Sequence, residues 1–420
     1  MIKTNKNIAL ALVLLVGFID WMGIGLVYPM FSSMLFQSDC RLLPADTSDA
    51  GRGACLGILL AMMPITQFFS SPILGMLSDQ KGRKKVLIPS LLVGVLGYLI
   101  AVLAVTKDNL FLLILSRIAI GISAGTAAVV GASVADLSTQ EEKTKNFGLF
   151  NMACGLGFTV GPFLGGVLSH TNIGSFPGYA VPFVVAGIVT LANLLLIALY
   201  FKETYQVKEA VAINWMHGVH NIQKAFKTEG LRGLFLSIFL ACAGWSFYWE
   251  FIPVTWINEY AFDAATIGNF YAYGAAMYAF GCGVLIRPIA NWFSSHSILF
   301  YSLLSAGAMI GIFLLHMDAN WLWIYIPLQQ FAIALFWPTA AALVSNSAGK
   351  DAQGEMLGVL HSIDALAFAV SPLIAGPLLG ISSKMPVIIG GAAMWMAAIA
   401  LGISCRHYIF GTEKHKPSEL

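Results

Sequence analysis

Twelve times along its length this chain runs for a membrane's thickness almost without a charge, and that alone removes most folds from consideration. The runs lie roughly at 8–31, 54–78, 86–106, 109–135, 146–168, 178–201, 231–256, 265–292, 297–316, 320–345, 354–380 and 384–405. About 20 apolar residues are what a helix needs to cross the hydrocarbon core. Only 10% of the residues are charged, against about 25% in soluble domains. The chain reads as an all-α membrane protein with 12 transmembrane helices. Lys3 and Lys6 before the first run resemble the start of a secretory signal, but the run continues through Asp20 to Met30 with no small-residue cleavage site. It reads as a retained first span.

The basic residues fix the expected orientation. With both termini placed on the cytoplasmic side, 18 of the 23 Lys and Arg residues fall in cytoplasmic segments, four fall outside (Arg41, Arg52, Lys107 and Lys384), and Arg117 lies within a span. That bias is the positive-inside pattern, and moving the count by one span would invert it. The net charge of +2 carries no signal for nucleic acid.

The longest internal polar stretch, from Lys202 to Arg232, divides the spans six and six. Within it Ile213, Trp215, Met216, Val219, Ile222 and Phe226 recur at near-helical spacing, as in an amphipathic helix lying on the membrane surface. The halves echo each other. Gly148-Leu-Phe-Asn-Met-Ala-Cys-Gly-Leu-Gly-Phe-Thr-Val-Gly-Pro162 aligns with Gly358-Val-Leu-His-Ser-Ile-Asp-Ala-Leu-Ala-Phe-Ala-Val-Ser-Pro372, with Gly166 meeting Gly376, and Gly75–Asp79 aligns more weakly with Gly283–Arg287. The expected organisation is two pseudo-symmetric six-helix bundles, 1–201 and 231–405, joined by a linker at 202–230 and followed by a tail at 406–420. Cys40 and Cys55 flank the polar loop after the first span. A disulfide there would suit an oxidising exterior; two separate thiols are the other reading.

The charged turn Gly75-Met-Leu-Ser-Asp79-Gln-Lys-Gly82-Arg83-Lys84-Lys85 resembles the loop between spans two and three of the major facilitator superfamily. Three more motifs resemble that superfamily's drug:proton antiporter branch, which includes tetracycline-efflux-like pumps. They are Phe18-Ile-Asp20-Trp-Met-Gly-Ile-Gly-Leu-Val-Tyr28-Pro29, Arg117-Ile-Ala-Ile-Gly121-Ile-Ser-Ala-Gly125, and Gly157-Phe-Thr-Val-Gly161-Pro162-Phe-Leu-Gly165-Gly166. The last is the most specific and is associated with export. Its glycines also serve close helix packing, and Gly161 with Pro162 is compatible with a pivoting span. The resemblance implies two repeated halves with a substrate site between them near mid-membrane. It also implies gating by charge pairs, with Asp79 directed to the neighbouring half and Arg83 paired with an acid at the end of span four, here Asp136. In the second copy Arg287-Pro288 stands where the acid would be, so a latch there is not expected.

Leaving aside those towards the ends of the runs (Arg232, Arg287, His316, Glu355 and Lys384), five ionisable residues fall inside them: Asp20, Arg117, Glu250, His361 and Asp364. Such residues are costly in a membrane and usually functional. A carboxylate in an apolar cavity can hold a proton near neutral pH and release it when a cation approaches, which is the chemical basis of proton-coupled exchange. Asp20 is the first candidate for that role, and Asp20 with Arg117 resembles the acid and base of the antiporter branch; a structural ion pair is the competing reading. His361 and Asp364 are spaced to share a helix face, and Asp364 joins the proton-coupling candidates. His361 reads equally as a satisfied core histidine. Glu250 is either a cavity residue or a rim charge. Tyr28, Asn151, Asn269, Tyr273, Gln329, Gln330 and Trp337 complete the expected cavity lining.

The sequence shows no HExxH, no GxSxG in a strand–helix setting, no P-loop and no Cys/His metal cluster, so neither an enzyme nor an ATP-driven pump is expected. The expected function is a monomeric, proton-coupled exporter of a small organic molecule in a bacterial inner membrane. It would work by alternating access, with no cofactor, metal or nucleic acid, driven by the proton gradient. Acids outnumber Arg in the spans, which favours a cationic or zwitterionic substrate. Proton-coupled import of a metabolite or siderophore-like chelate is the alternative.

Overall fold

The structure is a computed structural model that describes residues 6–37, 41–139, 142–171, 177–204, 231–315, 318–347 and 353–410, with residues 220, 223 and 227 between. Among the described residues it is helical, without a strand. Spans one to three are Lys6–Phe36, Asp49–Lys81 and Arg83–Thr106. Span four is Leu110–Ala124 continued by Ala127–Asp136, span five Lys143–Leu168, and span six Val181–Tyr200. Span seven is Arg232–Trp249 continued by Ile252–Tyr260, and span eight begins as Ala264–Phe280. Spans nine to twelve are Ser295–Phe313, Leu322–Ala334 continued by Phe336–Asn346, Gln353–Leu378 and Met385–Ser404.

Eleven of these stretches are long and apolar enough to cross a membrane, which makes this a multi-pass membrane protein. The twelfth expected span, 265–292, differs for a local reason. Its helix widens to a π-turn at Gly281–Leu285 before resuming as Ile286–Trp292, so no single α-helix there is of spanning length. That π-turn falls on the degenerate copy of the charged motif. Cys40, and hence its pairing with Cys55, lies outside the described residues, as does most of the amphipathic segment between spans six and seven.

The chain divides into two compact units. One takes the residues up to His217 together with Ala261–Ala272; the other takes Gly218–Tyr260 and Tyr273–Leu420. In the first unit, spans one and five are in the closest contact. A methyl group on Gly157, Gly161 or Gly165 would overlap the carbonyl oxygens of Phe18, Met22 and Leu26 respectively. Lipid is as apolar as a leucine side chain, so membrane helices associate through such close packing rather than through water exclusion. Val13, Val16, Leu87, Val130 and Ile197 fill the adjoining core. Gly166 meets the backbone of Ala264 and Gly268, which belong to this same unit. Beside them Asp263 accepts from the backbone N–H of Thr266 at 2.8 Å and faces His170 at 3.5 Å. In the second unit Ser237 Oγ donates to the carbonyl of Ala397, tying span seven to span twelve.

The repeat is stronger in structure than in sequence. Spans five and eleven are each 26 residues long, and both their ends are offset by 210 residues. Spans four and ten are each interrupted mid-course, at Gly125–Thr126 and at Leu335, again 210 residues apart. At the first break the Gly125 N–H is shared between the carbonyls of Gly121 and Ile122, and Thr126 N–H goes to Ser123. This is a local tightening of the helix.

Candidate functional site

At the end of the first unit that carries the charged turn, Arg83 is the organising group. It is 3% exposed and sits in the first turn of span three. Its Nε donates to Asp136 Oδ2 at 3.0 Å, and its Nη1 donates to Asp79 and to Ser78 Oγ. Arginine suits this position because its planar, fixed fork of donors engages several acceptors together. The expected Arg83–Asp136 pair is present. Asp79 bonds to Arg83 within its own unit, four residues away across the turn at Gly82.

Sequence reasoning missed Glu203. Its carboxylate accepts from the backbone N–H groups of Arg83 at 2.8 Å and Lys84 at 3.2 Å. The first N–H groups of a helix have no partner inside it, and Gly82 has no side chain to cap span three. Gly82 has φ +99°, and a methyl group there would collide with the Glu203 carboxylate, so both conformation and space call for glycine. Lys84 Nζ donates in return to the Ala198 carbonyl near the end of span six. Glu203→Ala is expected to lower stability by about 1–2 kcal/mol, as loss of a cap and of a carboxylate at a helix N-terminus does, with Glu203→Gln intermediate. Denaturant unfolding of the purified protein reads this directly. At the same end Lys6 pairs with Glu142 at 2.6 Å. That hydrogen bond, with those from Thr139, holds the Glu142 carboxyl down at about 2.

Deeper in the first unit, Asp20 and Arg117 do not form the ion pair that was one reading of them. Asp20 Oδ2 accepts a hydrogen bond from Thr126 Oγ1 at 3.2 Å, and Asp20 makes no ion pair among the described residues. Thr126 is fully buried and is the second residue of the break in span four, so the break brings a hydroxyl to the acid. Arg117 is directed to span two, where Nε reaches the Leu59 carbonyl at 3.4 Å and Nη2 the Met63 sulfur at 3.0 Å; its guanidinium also lies 5.5 Å from the centre of the Phe31 ring. Tyr28 is buried and stacks on Tyr271 of the same unit at 5.8 Å. Asn151 and Asn269 are exposed. Gly161 and Pro162 lie in the contact with spans one and eight already described.

In the second unit the structure gathers Trp337, Asp364 and His361 with side chains from span seven. Cys242 and Trp337 lie beside Asp364, whose Oδ1 is buried with no hydrogen-bond partner. Trp337 meets Trp245 and Tyr278 edge-on at 6.0 and 6.3 Å. Glu250 is 3% exposed and accepts from Ser246 Oγ at 3.0 Å. It is buried at the junction of the two helices of span seven. Gln329 is buried with neither amide atom partnered, and the Tyr273 hydroxyl donates to the Trp323 carbonyl at 3.0 Å. No cluster of metal-ligating side chains occurs among the described residues.

These features define a membrane transporter of two repeated helical units. The chain belongs to the Major Facilitator Superfamily, whose family model matches residues 13–372, and it matches the drug:proton antiporter branch. It is 26% identical over 409 residues to the tetracycline resistance protein, class C, of Escherichia coli, covering 96% of both chains. It is 30% identical over 381 residues to the class D protein of Salmonella ordonez, covering 88% of this chain and 89% of that one. Multidrug resistance protein 1 of Bacillus subtilis is 26% identical, with 91% and 92% covered. In fold the chain is similar to the human organic anion transporter MFSD10, with TM-score 0.68, 20% identity, and 94% and 99% covered. It is similar also to the inward-open xylose transporter XylE of E. coli, with TM-score 0.72, 12% identity, and 99% and 98% covered.

Proposed function

We propose that the protein is a proton-coupled exporter of drug-like small organic molecules, working as a monomer by alternating access and drawing on the proton gradient without a cofactor. Its relatives' names as resistance proteins support the direction of transport. The charge bias of the sequence supports a bacterial inner membrane with both termini in the cytoplasm. The observation that carries proton coupling is Asp20, a carboxylate in mid-span held by a single hydroxyl and by no cation among the described residues. Such a group can exchange a proton for a bound substrate as the two sides of the membrane are exposed in turn. The charge pairs around Arg83 sit at one end of the first unit, where a set of contacts formed in one state and broken in the other biases that exchange.

The test is transport in everted vesicles that acidify their interior, with tetracycline and tetraphenylphosphonium as probes. An exporter accumulates at least one probe on energisation and loses it when nigericin collapses the pH gradient. Energisation-driven release of preloaded probe would instead establish import, and transport indifferent to the gradient would exclude proton coupling.

A further inference from the structure

We propose that the second unit carries a binding site for an anionic phospholipid, at the end where span seven starts and span twelve stops. Arg406 and Arg232 supply the positive charge, with His407 beside them, and the exposed last part of span twelve takes the acyl chain. The inference goes beyond the transport reading and does not depend on it.

The two units close this end differently. In the first, Glu203 stands three residues past the end of span six, and its carboxylate takes the backbone N–H groups of Arg83 and Lys84, so an acid lies among the basic residues there. Span twelve has the same length as span six, 20 residues, and three residues past its end stands His407. Span nine, the repeat of span three, is capped by its own Ser294, whose Oγ accepts from the Ser297 N–H at 3.1 Å. The segment after span twelve, Arg406–Phe410, is held to span nine by other means. The Tyr408 ring stacks on His296 at 4.7 Å with 15° between planes, and Ser294 Oγ donates to the Tyr408 carbonyl at 3.4 Å. The tie to the neighbouring span is kept, while a basic residue replaces the acid.

That replacement leaves positive charge without a counter-charge. Arg406 and His407 are exposed, and their side chains make no hydrogen bond or ion pair among the described residues. Gly233 lies against Ser404, where a methyl group would overlap the serine hydroxyl, and this contact brings Arg232, the first residue of span seven, to the same corner. Arg232 gives one donor to the Lys227 carbonyl at 3.4 Å and forms no ion pair among the described residues. The planar donor fork of arginine matches phosphate oxygens two at a time. On the membrane side, Ile399 and Ile403 lie one turn apart on span twelve and are 60% and 72% exposed, and Arg406 follows three residues later. Trp292 and Phe293, just before span nine, are exposed as well; such aromatic residues sit at the headgroup level of a bilayer. An apolar track that ends at arginines has the order of an acyl chain followed by its phosphate. Because no acid is bonded to these arginines among the described residues, their charge selects a net-negative headgroup over a zwitterionic one, as basic pockets between spans do.

Native mass spectrometry of the purified full-length protein in detergent tests this, titrated with phosphatidylglycerol as probe and phosphatidylcholine of the same acyl chains as control. The first phosphatidylglycerol is expected to bind wild type about 10-fold or more tightly than the first phosphatidylcholine, the weight of two arginines at an anionic headgroup. Arg406→Gln should weaken phosphatidylglycerol by about 5-fold and the double change Arg232→Gln with Arg406→Gln by about 30-fold, with phosphatidylcholine unchanged. Arg406→Lys keeps the charge and should stay within about 2-fold of wild type. Lys107→Gln removes a cation beyond the far end of span three and should change nothing. These side chains are exposed, and monodisperse elution of each variant keeps the comparison valid. Equal affinity of wild type for the two lipids, or wild-type affinity for phosphatidylglycerol in the double variant, overturns the proposal. A loss in Lys107→Gln as large as that in Arg406→Gln overturns it too, since the attraction would then be general. Inorganic phosphate that displaced the lipid at equal concentration would make this a free-anion site and overturn the lipid assignment. The measurement uses neither substrate nor gradient, so its failure would leave the export reading standing, and failure of vesicle transport would leave the lipid site standing.

Discussion

Gly161→Leu is expected to leave no recoverable folded protein, and Gly161→Ala to cost about 1–3 kcal/mol, the range for forcing extra volume into a packed contact. The reason is that the obstacle is backbone. A methyl group at Gly161 overlaps the carbonyl of Met22, and a carbonyl in a helix cannot swing aside as a side-chain end can. Spans one and five would have to separate along the whole contact, because Gly157 and Gly165 hold the same helix against Phe18 and Leu26. Gly155 is the control. It lies on the same helix, and a methyl group there meets nothing within 4 Å. Gly155→Ala should be neutral or stabilising by up to about 1 kcal/mol, as glycine-to-alanine changes in helices are. Fluorescence-detected size exclusion and thermal unfolding in detergent separate the three variants. If Gly161→Leu eluted and melted like wild type, the interpenetration of the two helices would be disproved.

The contrast between those glycines shows where sequence legibility ends. Every glycine of Gly155–Gly166 looked alike as a small residue in a membrane span, and only three-dimensional neighbours distinguish the ones that touch backbone from the ones facing open space. The spans themselves were readable because bilayer thickness imposes a length on any apolar run. The charged turn was readable because Gly82, Arg83 and Asp79 are adjacent in sequence and their geometry is local. Glu203 was not readable. Its partners lie about 120 residues earlier, and a lone glutamate after a span carries no mark of being the cap of another. The break at Gly125–Thr126 escaped for a similar reason, since nothing in Ile122-Ser-Ala-Gly-Thr-Ala forbids a continuous helix.

That break changes how the two units compare. In the first, Thr126 within the break donates to an acid on span one. In the second, Trp337 lies two residues after the equivalent break, and Asp364 of span eleven lies beside it. The repeat thus keeps a helix interruption near a carboxylate in both halves, while changing the span on which the carboxylate sits. Asp364 has Cys154 as its counterpart at the 210-residue offset, and nothing in the sequence of either half signals the shared placement of the breaks. The charged turn diverges in the opposite sense, because its second copy has become a π-turn without an acid.

Asp20→Asn is expected to reduce gradient-driven transport to the nigericin-treated background while leaving exchange of labelled for unlabelled substrate across the membrane intact. Asparagine keeps the size of the side chain and can still accept from Thr126, so packing against spans four and five survives. What it cannot do is gain and lose a proton, and a transporter without that step still moves substrate down its own gradient but has no means of using another. Exchange measured at symmetric pH isolates the substrate half of the cycle; accumulation under an imposed pH difference requires both halves. Thr126→Val supplies the complementary case, with the acid present but its donor removed. Loss of a hydrogen bond to a charged group is worth about 1.5–3 kcal/mol, so the pH profile of accumulation should move while exchange at symmetric pH does not. Gradient-driven accumulation by Asp20→Asn equal to wild type would transfer the coupling role to another acid, with Asp364 the next to be tested by the same two assays.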